Sequence, residues 1–137
     1  MQNRRLANDL RIACQQVSRR VRFDSPGELA PHLVSVLSKL KSGPRTPGEL
    51  AELEQIAPPS MTKTVNCLED RGLVSRADHP TDGRSKLVAL TAEGRAALDR
   101  TARARDDWMV HQLNGLTDDE LQVLARAAEL LQRVVAK

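Results

Sequence analysis

HPTDGRSKLVALT, residues 79–91, reads as a turn, then a strand, then a helix cap. Asp82-Gly83 is a short-range hairpin signal, because glycine accepts the positive φ that a tight turn demands. Lys86 to Leu90 reads as a strand, and Leu73-Val74-Ser75-Arg76-Ala77 just upstream reads as its partner. Arg84 then stands at the exposed tip of a small hairpin, with Lys86 close behind, in a chain whose other segments look helical. What precedes the hairpin decides what that arginine is for.

Four helix starts are marked chemically. Thr46-Pro47-Gly48-Glu49 and Thr117-Asp118-Asp119-Glu120 fit the capping box, in which a threonine hydroxyl and a glutamate three residues later satisfy backbone donors that have no partner inside the helix. Pro47 takes the first helical position, where a missing N–H costs nothing, and Ala30-Pro31 offers a similar start. Thr91-Ala92-Glu93 places a cap and an acid at another N-terminus. Apolar spacings of three and four then predict helices over about 4–22 (Leu6, Leu10, Cys14, Val17, Val21), 31–41 (Leu33, Val36, Leu37, Leu40) and 47–54 (Leu50, Leu53). The same spacing continues over 58–70 (Met61, Val65, Leu68), followed by Gly72 as a stop. Long helices over about 92–113 and 118–135 close the chain. The fold expected is mainly α with a small two-stranded β wing. It is a single domain over 1–137, with a compact module at about 31–90 between helical arms at about 4–22 and 92–135.

The totals agree. A chain of 137 residues, 40% hydrophobic and 28% charged, is long enough for one globular core and too apolar to be a disordered tail. No run approaches the length of a membrane span, and MQNRRLANDLRIAC has no apolar h-region, so neither an anchor nor a signal peptide is expected. Cys14 and Cys67 lie far apart, without a zinc or disulfide spacing, which fits a reducing cytoplasm. The net charge of +3 tolerates a polyanionic partner without proving one. Phe23 and Trp108 are the only aromatic residues, too few for stacking single-stranded bases.

Two short helices joined by a brief turn, the second opening on small polar residues, make a helix-turn-helix pattern. In PPSMTKTVNCLEDRG, Met61, Val65 and Leu68 face inward, while Ser60, Thr62, Lys63 and Asn66 lie on the other faces. Lysine suits guanine O6 and N7, asparagine suits adenine, and a threonine methyl suits thymine in the major groove. Alone, such a face is more often merely solvated. The hairpin that follows turns the pattern into a winged helix and gives Arg84 a role: a guanidinium on a thin turn fits the electronegative minor groove. Asp82 can hold that arginine through a charge-assisted bond, start the turn, or do both. Arg76 and Lys86 lie near the same edge, where they can meet phosphates.

SMTKTVNCLEDRGLVSR followed by HPTDGRSKLVALTAEGR resembles the MarR family of bacterial transcription regulators over nearly the whole chain. The Leu-Glu-x-x-Gly-Leu-Val junction at 68–74, the Asp-x-Arg wing at 82–84 and Leu-Thr-x-x-Gly at 90–94 carry the resemblance. It implies that Ser60, Thr62, Lys63 and Asn66 belong to a recognition helix and Asp82 and Arg84 to a wing. The sequence departs from the pattern at Gly83, where members often carry a second arginine or another polar residue, and at the double proline 58–59.

The last helix places Leu121, Leu124, Ala128, Leu131 and Val135 in a coiled-coil-like seam. With the stripe on the first helix, it exceeds what a 60-residue module can cover, and the resemblance likewise implies a homodimer interlocked through these helices. Two recognition helices would then meet successive major grooves of a near-palindromic operator, about 10 base pairs apart. The function expected is sequence-specific binding of double-stranded DNA to regulate transcription, with repression as the expected sense. The alternative is a winged-helix module that binds protein without specific DNA binding. The resemblance also implies a small-molecule effector, a phenolic or lipophilic anion between arms and module. Arg22, Phe23, His32, Trp108 and His111 are the candidate contacts, each with a structural or solvated role as the competing reading. Cys67 in the recognition helix is a candidate oxidation site, whereas Cys14 is expected to be a small core residue. Neither a cofactor nor a metal is expected. Among His32, His79, His111 and the remaining polar residues there is no catalytic or phosphate-cradling pattern, so an enzyme is not expected.

Overall fold

In the computed structural model, which describes residues 2–137, the order is α1 (Gln2–Asp24), α2 (Pro31–Lys39), α3 (Pro47–Glu54), α4 (Pro58–Asp70), β1 (Val74–Asp78), β2 (Lys86–Leu90), α5 (Ala92–Gln112) and α6 (Asp118–Val135). Both capping boxes form. The Thr46 hydroxyl accepts from the Glu49 N–H at 3.1 Å, the Thr117 hydroxyl accepts from Glu120 at 3.1 Å, and each glutamate reaches back to its threonine N–H. Pro58 and Pro59 occupy the first turn of α4, where neither N–H has a helical partner to lose, so the double proline defines the helix start instead of displacing it.

The core lies in the middle of the chain. Leu33, Val36, Leu37 and Leu40 of the α2 segment pack with Leu50 of α3, Met61, Val65 and Leu68 of α4, Val88 of β2 and Leu98 of α5. Burying each of the large side chains contributes about 1.5–3 kcal/mol. β1 and β2 pair antiparallel from Val74↔Leu90 to Asp78↔Lys86. A third strand fragment, unforeseen in the sequence, joins them: Arg45 exchanges two backbone bonds with Val88, at 3.0 and 2.8 Å. That bridge ties the start of the helix-turn-helix to the wing.

Two glycines set the junction between α4, β1 and α5. Gly72 takes φ +75°, and the Leu73 N–H donates back to the Leu68 carbonyl at 2.9 Å, a Schellman ending that directs the chain from helix to strand. β1 consequently begins at Val74, one residue after the expected start. Gly94 is closer still, because a Cβ there would stand 2.0 Å from the Leu73 carbonyl oxygen. Thr91 locks the same corner, its hydroxyl donating to the Gly72 carbonyl and accepting the Gly94 N–H.

The wing forms a tight turn where expected, the Ser85 N–H donating to the Asp82 carbonyl at 3.1 Å, but without the expected glycine geometry. Gly83 does not have positive φ, and residues 79–85 form a longer loop held by side chains. Asp82 Oδ1 accepts the Arg84 N–H at 3.1 Å, Oδ2 accepts the Ser85 hydroxyl, and His79 Nδ1 accepts the N–H groups of Thr81 and Asp82. An aspartate bonding two residues ahead replaces the geometry a glycine would otherwise supply.

The arms are the opposite of the module. Neither α1 nor α6 buries a single residue. Leu6, Val17, Leu124 and Val135 are exposed, and Leu6, Leu10 and Cys14 face Leu131 and Val134 across an open apolar groove of about 420 Å³. Cys14 is therefore exposed and not a core residue. α6 also carries a second apolar stripe, Val123, Ala127 and Leu130, beside the expected seam.

Candidate nucleic-acid interface

α4 presents its inner face, Met61, Val65 and Leu68, to the core and leaves Ser60, Thr62, Lys63, Asn66 and Cys67 exposed. Its spacing leaves no choice, since a helix that buries positions 61, 65 and 68 points 60, 63, 66 and 67 away. The Thr62 hydroxyl donates to the Pro58 carbonyl at 3.1 Å, so its proton serves the helix's own first turn. Lys63 has no ion-pair partner among the described residues.

The wing cations divide into two kinds. Arg84, in the loop, has no ion-pair partner among the described residues; of the two roles the sequence offered Asp82, it starts the turn, bonding the Arg84 N–H, and does not pair with the guanidinium. Lys86 instead pairs with Asp78 directly across the hairpin, and this hydrogen bond, followed by the lysine charge itself, holds the Asp78 carboxyl below its ordinary pKa. Arg76, on β1, donates from Nη2 to Asn66 Oδ1 at 2.5 Å and lies 3.9 Å from Glu69 through Nε. It links the wing to α4 and does not project freely. Glu69 and Asp78 are the residues that sequence reasoning missed; their one signal was position, Glu69 three residues after Asn66 and Asp78 at the end of a strand.

The effector candidates do not converge. Arg22 and Phe23 line a hollow of about 260 Å³ with Leu29, Pro31 and Arg105. Trp108 lines a separate one of about 350 Å³ between α1 and α5, with the Arg20 guanidinium 5.4 Å from its ring centre. His32 and His111 are exposed and line neither hollow. Between module and arms, Arg100 on α5 bonds Glu28 at 2.7 Å and Glu93 at 2.9 Å, which lowers the Glu28 pKa and raises that of Arg100. Cys67 is exposed on α4, beside Asn66.

A helix-turn-helix carrying a bridged β wing, with polar side chains aligned along its second helix, is the architecture of the family that the sequence resembled, and direct comparison decides the matter. The MarR family model matches residues 31–86, and an HTH-type transcriptional regulator of Mycobacterium tuberculosis is 40% identical over 135 residues, covering 96% of this chain and 93% of that one. The chain belongs to the MarR family. A Mycobacterium leprae HTH-type transcriptional regulator is 38% identical over the same shares. Among solved structures, a candidate transcriptional regulator from Pseudomonas aeruginosa superposes with TM-score 0.84 at 28% identity, over 99% of this chain and 96% of that one. Wild-type MarR of Escherichia coli superposes with TM-score 0.72 at 26% identity, over 94% and 96%. As a MarR-family protein the chain is a winged helix-turn-helix, DNA-binding transcription regulator. No helix among the described residues is long and apolar enough to cross a membrane.

Proposed function

We propose that this MarR-family protein is a homodimeric repressor of the cytoplasm that binds a near-palindromic operator, with α4 in the major groove and the wing in the minor groove. The carrying observation is the exposed polar edge of α4 lying beside a wing whose tip arginine has no acidic partner among the described residues. Lys63 supplies a cation to guanine or phosphate, Ser60 and Thr62 supply oxygens and a methyl, and Arg84 suits the negative potential of a narrow minor groove. Arg76 and Lys86 shape this surface from within protein ion pairs. The dimer follows from the arms. A helix that fully buries no residue in its own chain yet carries apolar stripes gains stability by covering them with a partner, and α1 and α6 together offer such a surface.

Footprinting on DNA upstream of the protein's own gene, with the mass of the complex measured in parallel, tests this reading. The expected result is two protected half-sites about 10 base pairs apart, centre to centre, under a complex containing two chains. A single half-site bound by one chain contradicts it.

A further inference from the structure

Asn66 is not a free carboxamide. Arg76 Nη2 donates to its Oδ1 at 2.5 Å, and Glu69 draws the other side of the same guanidinium. Asn66 and Glu69 are three residues apart and share one edge of α4. Arg76 is held opposite them by the hairpin register, paired with Val88, which Arg45 bridges from the far side. A guanidinium has only donors, so the amide atom facing it must be the oxygen, and the chemistry fixes the orientation of the carboxamide.

That orientation governs base reading. Asparagine recognises adenine with both ends, Oδ1 accepting from N6 and Nδ2 donating to N7. In this chain one lone pair of Oδ1 is already taken by a cationic N–H, which draws electron density from the oxygen and leaves its second lone pair a weaker acceptor for a base amino group. The two N–H donors on Nδ2 remain, and they are strengthened because the cation polarises the amide. Donors suit N7 of either purine, so the choice is made at the neighbouring group: they suit the keto oxygens of guanine O6 and thymine O4 and do not suit the amino groups of adenine N6 or cytosine N4. We infer that Asn66 reads keto bases and discriminates against amino bases, and that Arg76 is the positioning residue that sets this preference. The inference rests on the placement of α4 in the major groove proposed above, and it reverses the adenine preference that asparagine alone suggests.

The test uses the full-length dimer on duplexes in which each base pair of the footprinted site is replaced in turn. Wild type, Asn66→Ala, Arg76→Met and Arg76→Lys are compared by competition anisotropy, with thermal unfolding measured for each. Wild type is expected to show one position per half-site at which keto-to-amino replacement weakens binding about tenfold. Asn66→Ala should flatten that position and no other. Arg76→Met keeps the length of the stem but frees Oδ1, and the preference there should move toward adenine; Arg76→Lys, which retains a donor, should keep the keto preference. Adenine preference in wild type at the Asn66-sensitive position overturns the inference while leaving the groove placement intact. So does a keto preference that persists in folded Arg76→Met, or an Asn66→Ala profile identical to wild type. If Arg76→Met does not fold, Asn66→Ala and Arg76→Lys decide the question. Wild-type binding that is indifferent to every base pair overturns the groove placement itself, and the inference with it.

Discussion

The winged-helix module and the helical arms are made of similar amphipathic helices, yet they bury their apolar faces in different places. In the module, α2, α3, α4 and β2 close on one another, and residues such as Leu37, Leu50 and Val88 are shut off from solvent within a single chain. In the arms, α1 and α6 carry stripes of equal regularity and leave them exposed or half-buried, with no residue fully shut off. Local sequence chemistry therefore makes a helix, and the neighbours available determine whether its apolar side is a core or an interface. Module stability should belong to one chain, and arm stability to the pair.

Substitutions on each side of that divide test it. The largest effect should come from Leu50→Ala, which opens a cavity in the module and should cost about 2–5 kcal/mol in denaturant unfolding. Next is Gly94→Ala, where the new methyl meets the Leu73 carbonyl; overpacking there should cost about 1–3 kcal/mol and loosen the start of the wing. The two capping boxes form a matched pair worth about 1 kcal/mol each. Thr46→Ala should lower the stability of the module itself. Thr117→Ala should leave the module intact and instead raise the dimer dissociation constant about thirtyfold, because both chains lose the cap, measured by sedimentation. Equal effects of the two on module unfolding would erase the proposed distinction.

The smallest effect is electrostatic. Bonds to Arg100 and Lys86 lower the pKa values of Glu28 and Asp78 from ordinary values of 4.5 and 3.8. A carboxylate with a lowered folded-state pKa contributes stability above its unfolded value and loses it as the pH falls through the folded one. Both pairs are exposed and screened, so the expected acid loss below about pH 4.5 is shallow, and Glu28→Gln with Asp78→Asn should flatten it further in a melting-temperature series.

Most of the fold was legible because its signals are local. The capping threonines, Pro31, Pro47, Pro58 and Gly72 mark element ends through bonds made within a few residues. The recognition-helix face was legible for the same reason, since burial at 61, 65 and 68 fixes where Ser60, Lys63 and Asn66 point. The wing was legible in its position and not in its geometry. Asp82-Gly83 marked the turn that closes between Asp82 and Ser85, but Gly83 lacks the positive φ expected of it, and the bonds by which His79 and Asp82 hold the loop are not visible in the dipeptide. The partners of Arg76 and Lys86 were also hidden, because strand register and the approach of β1 to α4 decide them. Cys14 illustrates the limit of periodicity, which finds an apolar stripe but not the surface that covers it.

The central proposal is that the free cation at the wing tip meets DNA and the paired cation beside it does not. Fluorescence anisotropy with operator DNA at several salt concentrations, comparing wild type, Arg84→Ala and Lys86→Ala, tests it most directly. Arg84→Ala should weaken binding and reduce the salt slope by about 0.9 for each phosphate left without its cation, hence about 2 for a two-fold dimer. Lys86→Ala should leave the slope close to wild type. A slope unchanged by Arg84→Ala, or a loss as large from Lys86→Ala, would contradict the account.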